Sequence, residues 1–95
     1  MKLFWTRLAI SDLNSTYDFI AQENLSAAIR VIDRIQKAAA VLSQNPDIGR
    51  PGRVDGTREL IISGTPFIMP YQIKGKRVEV LAVIHGARRW PDAFS

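Results

Sequence analysis

No cysteine occurs among these 95 residues, and only one histidine. The first absence excludes a disulfide framework and a thiolate metal site, and the second leaves too few imidazoles for a typical zinc centre. No apolar run approaches the roughly 20 residues that span a bilayer. The opening Met1-Lys2-Leu3-Phe4-Trp5-Thr6-Arg7 lacks the apolar core of a signal peptide. The expectation is a soluble cytoplasmic protein with no membrane partner, and no motif calls for a metal or cofactor. Repeats and low-complexity segments are missing too, which argues against a solenoid or a disordered chain.

What is present fits one small domain. A hydrophobic content of 46% beside 23% charged residues is ordinary for a globular chain. A chain of this length buries about 60 to 65% of its unfolded surface, which leaves no room for a second module. The net charge of +4 is uneven: residues 1–49 hold five basic and five acidic side chains, residues 50–95 eight and four. An acidic partner or a phosphate backbone would be drawn to the second half.

In chain order, Lys2 to Trp5 reads as a strand, and Thr6 as the N-cap of a helix, because its hydroxyl accepts from an otherwise unpaired backbone N–H. Ile10, Leu13, Tyr17 and Ile20 recur at spacings of three and four and are assigned to the core. Asn24 or Ser26 caps a second helix over residues 26–43, with Ala28, Val31, Ile32, Ile35, Ala39 and Leu42 on its apolar face. So short a connection makes an antiparallel hairpin. Ala38, Ala39 and Ala40 are read as exposed, small enough for a partner helix to approach, although core packing explains them equally. Asn45-Pro46 ends the helix, since proline disfavours helical geometry in the residue before it.

The stretch from Asp47 to Gly56 is turn-rich, and three strand-length segments follow: Arg58 to Ser63, Phe67 to Ile73 and Val78 to His85. Val78 to Ile84 is apolar on both faces, as in an interior strand. Pro70 cannot donate to a ladder, which places it at a bulge or on a solvent-side position. The fold class is α+β: an N-terminal strand and an antiparallel helical hairpin packed on a C-terminal antiparallel β-meander, one domain over residues 1–95.

Four fragments in this order carry a family resemblance: Gly49-Arg50-Pro51-Gly52-Arg53, Gly56-Thr57-Arg58-Glu59-Leu60, Pro66-Phe67-Ile68-Met69-Pro70-Tyr71 and His85-Gly86-Ala87-Arg88-Arg89-Trp90-Pro91. Behind a helical hairpin, this series resembles the ParE branch of the RelE/ParE toxin superfamily over nearly the whole chain. The resemblance implies the toxin of a type II toxin–antitoxin pair, of the plasmid-stabilisation kind, held inactive by a cognate antitoxin that wraps its helices and sheet. ParE-like members poison DNA gyrase and arrest growth. RelE-like members instead cut mRNA on the ribosome, which is the alternative reading.

The two mechanisms need different side chains. Metal-independent RNA cleavage takes a base, an acid and cations to stabilise charge developing on phosphate. Phe67, Ile68, Met69 and Pro70 stand where RNase-type members are expected to carry an arginine. The catalytic candidates are His85, Arg58 and Tyr71, with local structural roles as the competing reading for His85 and Tyr71. The candidate target-binding set is Arg50, Arg53, Arg58, His85, Arg88, Arg89 and Trp90, since arginine and tryptophan are favoured interface anchors. Gyrase binding is the preferred function, with ribosome and mRNA as the alternative partners.

Overall fold

Thr6 ends one element and starts the next. In the computed structural model, which describes residues 1–94, its hydroxyl accepts from Ala9 N–H at 3.2 Å, capping α1 (Arg7–Ala21) directly after β1 (Lys2–Trp5). Asn24 does the same for α2 (Leu25–Gln44), accepting from Ala27 N–H at 3.0 Å. The remaining elements are β2 (Arg50–Pro51), β3 (Arg58–Ile61), β4 (Phe67–Lys74), β5 (Arg77–Val80) and β6 (Ile84–His85).

The strands form one mixed sheet in the order β1-β5-β4-β3-β2, with β6 also paired to β4. β1 runs parallel to β5, and the other pairs are antiparallel. The helical hairpin packs on one face. Ile35, Ala39 and Leu42 of α2 are fully buried in one cluster with Met69, Tyr71, Val78 and Val80, Val31 and Ile32 pack against it, and Ala28 is fully buried too, so the predicted α2 stripe is the buried one. Of the alanine trio only Ala40 is exposed; Ala39 is spent inside the core and Ala38 is half-buried.

Of the expected α1 stripe, Leu13, Tyr17 and Ile20 are part-buried and Ile10 is the departure. Ala9 is the helix's fully buried residue, Leu13 packs on the core, and Ile10 is 48% exposed. The cause is Asp12, whose Oδ2 accepts from Val83 N–H at 3.0 Å. At 3.6 residues per turn, Asp12 and Ile10 lie on opposite flanks of Ala9, so tying Asp12 to the sheet turns Ile10 outward.

The last predicted strand is broken. Tyr71 pairs with Val80 and Ile68 with Ile84, so two residues of β4, Met69 and Pro70, stand opposite three, Leu81 to Val83. That extra residue is a β-bulge. Its place follows from Pro70, which has no N–H for its neighbour; Pro70 contributes only its carbonyl, to Leu81 N–H at 2.9 Å. Helix α1 and its N-cap satisfy two of the freed backbone groups. Thr6 Oγ1 donates to Leu81 O at 3.1 Å, and Asp12 accepts from Val83. β5 remains interior, between β1 and β4.

Candidate functional site

Glu59 organises the first cluster of candidate residues. It lies on the sheet face away from the helices and is 2% exposed, an environment a carboxylate tolerates only when it is paired and hydrogen-bonded. Across the β2–β3 pair, Arg50 donates to its Oε1 from Nε at 3.2 Å and Nη2 at 3.0 Å. The Arg53 backbone N–H donates to Oε2 at 2.7 Å. One carboxylate thus fixes both ends of Arg50-Pro51-Gly52-Arg53. The Arg53 guanidinium then lies over the Trp90 ring, 4.0 Å from its centroid, and draws the C-terminal segment onto the same face. The Trp90 indole N–H is covered and finds no acceptor among the described residues.

Arg58 and Tyr71 form a second group on the other face. They are cross-strand partners in β3 and β4. The Tyr71 hydroxyl donates to Pro46 O at 2.7 Å and accepts from Gly49 N–H at 2.9 Å. Arg58 Nη1 donates to Gly49 O at 2.8 Å. Together they hold the turn after α2 against the sheet. Gly49 is required there because a Cβ would stand 2.5 Å from the Tyr71 hydroxyl oxygen. Burial pushes the Tyr71 phenol above its ordinary value, partly opposed by the Gly49 N–H and by Arg58. The ring is fully buried, so its one hydroxyl hydrogen serves Pro46 and not a ligand.

His85 belongs to a third place. It pairs with Phe67 at the far end of β4 and meets the Phe67 ring edge-on, with centroids 5.6 Å apart. Its Nδ1 accepts from Ala87 N–H at 3.1 Å, and its carbonyl accepts from Arg88 N–H at 3.0 Å. His85 and Arg88 line a pocket of about 100 Å³ with Asp12, Ser15, Thr16, Phe19 and Phe67. Arg88 and Arg89 also border a neighbouring depression beside Leu8 and Pro91. Burial pushes the Asp12 carboxyl up, opposed by the Val83 N–H and by Arg88.

The candidate set is therefore divided among three places. Arg50, Arg53 and Trp90 meet around Glu59, Arg58 joins Tyr71 at Gly49, and His85 and Arg88 face Asp12. Sequence reasoning passed over Glu59 and Asp12. An acid at the head of the apolar run from Leu60 to Ile62, within a strand-length segment, was a signal for the first; nothing local marked the second. Among the described residues no group of acidic and imidazole side chains is arranged to hold a metal ion, and no helix is long and apolar enough to cross a membrane.

The model of the ParE toxin of type II toxin–antitoxin systems matches residues 3–90. This chain belongs to the ParE toxin family. A putative toxin of Sinorhizobium fredii is 39% identical over 98% of this chain and 96% of its own length. The toxin RelE2 of Caulobacter vibrioides is 31% identical over 92% and 97%. A chain of the chromosomal ParDE toxin–antitoxin system of P. aeruginosa superposes with a TM-score of 0.81 at 33% identity, over 90% of this chain and 95% of that one. The α+β fold is thus that of a ParE toxin, and membership of a toxin–antitoxin family implies an antitoxin partner.

Proposed function

We propose that this ParE toxin arrests growth by binding DNA gyrase, and that its cognate antitoxin neutralises it. The observation that carries the reading is the separation of the three catalytic candidates. His85 sits opposite Phe67, while Arg58 sits opposite Tyr71. The two positions are four residue steps apart along β4, about 13 Å at the usual rise. Arg58 and Tyr71 are also engaged with the Gly49 turn. Cleavage of RNA needs base, acid and cation within reach of one phosphate, and this sheet supplies no such convergence.

Binding asks for less. Arg88 and Arg89 are exposed at the end of β6, and Trp90 is held by Arg53 beside them, which suits a surface that grips a protein. Exposed Phe19, Leu25 and Ile29 around the hairpin connection give an antitoxin apolar area to cover. The test is translation-coupled mRNA cleavage with purified ribosomes, run beside growth arrest by His85→Ala. Intact mRNA is expected from the parent chain and from His85→Ala, so that any loss of arrest in the variant arises without a cleavage activity to lose. Cleavage at codon boundaries that is lost in His85→Ala would replace this reading with the endoribonuclease one.

A further inference from the structure

A row of cations crosses the sheet on the face away from the helices, and neither the Glu59 cluster nor the His85 pocket uses it. Lys2 is registered with Arg77 between β1 and β5, and Arg77 with Lys74 between β5 and β4. Their strand neighbours Leu3 and Val78 turn toward the core, so these three side chains point the other way. Strands lie about 4.8 Å apart, which sets the three on a line about 10 Å long. Lys76 extends it from the tight turn that Gly75 makes at φ 61°. Lys2, Lys74, Lys76 and Arg77 border one open depression of about 430 Å³.

Like charges directly opposite one another on neighbouring strands are destabilising, and this row is barely compensated from within. Arg77 Nη2 stands 2.7 Å from Glu79 Oε2. Glu79 also accepts from Gln72 Nε2 at 2.8 Å, and that hydrogen bond, with the surrounding cations, holds its carboxyl below the usual value. Lys2, Lys74 and Lys76 have no carboxylate partner among the described residues.

The chemistry of the row selects its occupant. Lysine is depleted from protein interfaces and is a regular contact to phosphate oxygens. The one guanidinium fork that would grasp a protein carboxylate bidentately is already engaged with Glu79. Base stacking is not on offer either: Phe4 is the exposed ring beside the row, and Arg77 already faces it at 5.3 Å. Single-strand binders present rings to successive bases. We propose that the Lys2–Arg77–Lys74–Lys76 row holds the phosphate backbone of double-stranded DNA without reading sequence. This goes beyond the gyrase reading and does not depend on it.

The test is fluorescence anisotropy of a short labelled duplex of mixed sequence, titrated with the full chain over a range of salt concentrations. Three lysine–phosphate contacts predict a slope of log affinity against log salt of about −3. Lys2→Ala with Lys74→Ala should bring the slope to about −1 and weaken low-salt binding by about tenfold. Arg7→Ala with Arg30→Ala removes the same charge from the helices and should leave both values unchanged. Lys2→Arg with Lys74→Arg should retain both, and circular dichroism checks each fold. Equal losses in the two alanine pairs, absence of duplex binding at low salt, or stronger competition by polyglutamate or single-stranded RNA would each overturn the proposal.

Discussion

Arg50 and Glu59 face one another across β2 and β3, and the arginine closes on one carboxylate oxygen while the Arg53 N–H holds the other. The acid is covered and the arginine is half-exposed, so the pair is unequal. Removing Glu59 leaves the Arg53 N–H without its acceptor. Glu59→Ala should lower unfolding free energy by about 1 to 3 kcal/mol in a urea titration. Arg50→Ala should cost more than Lys37→Ala, whose exposed pair with Asp33 is worth about 0.3 to 0.5 kcal/mol. Equal effects would mean that Glu59 is not the centre of its cluster.

Tyr71 and Gly49 offer an independent check on the turn after α2. Tyr71→Phe deletes the hydrogen bonds to Pro46 and Gly49, and should cost about 1 to 3 kcal/mol. Gly49→Ala should destabilise by about as much through overpacking, because the ring it would strike is enclosed. Thermal melting reads both. An unshifted midpoint in either variant would show that the turn is not held by this contact.

Acid stability separates two carboxyl groups whose pKa values folding moves in opposite directions. Asp12 has a folded pKa above its unfolded 3.8, so the folded state binds its proton more tightly and stability falls as pH rises from about 3.8 through the folded value. Glu79 has a folded pKa below its unfolded 4.5; its contribution is present above about 4.5 and lost as pH falls through the folded value. Relative to the parent chain, Asp12→Asn should gain stability as pH rises through that window, and Glu79→Gln should lose it. Urea midpoints measured from about pH 3 to 6 should diverge in these directions; parallel curves would contradict the assignment.

What the sequence disclosed was what neighbours in the chain decide. Thr6 and Asn24 cap helices within three residues of themselves, and the Ala28 to Leu42 stripe needs only helical periodicity. Pro70 offered a bulge or a solvent-side position because its missing N–H is a property of the residue, and its burial leaves the bulge. The break from Leu81 to Val83 was hidden, since that stretch is apolar enough to read as continuous strand. The outward turn of Ile10 was hidden for another reason: it goes with Asp12 meeting Val83, 71 positions away. The candidate site divided in the same manner. The Gly49 to Arg53 motif was legible, but that Glu59 gathers it, and that Arg58 pairs at mid-strand while His85 pairs at the start of β4, follow from pairing alone.

Exposure distinguishes residues that hold the fold from those free to touch a target. Leu81 is 7% exposed, and Leu81→Ala should cost about 2 to 5 kcal/mol. Arg88→Ala with Arg89→Ala should leave the melting curve unchanged, since exposed charges contribute little to stability, while reducing toxicity on induction. Full growth arrest by that folded double variant would remove both arginines from the target surface.

Harm by attachment to a protein machine is measured most directly by supercoiling of relaxed plasmid by purified gyrase. Added full-length toxin should abolish supercoiling in a dose-dependent way, and its cognate antitoxin should restore it. Undiminished supercoiling at excess toxin, from a preparation that still arrests growth when induced, would contradict that mode of action.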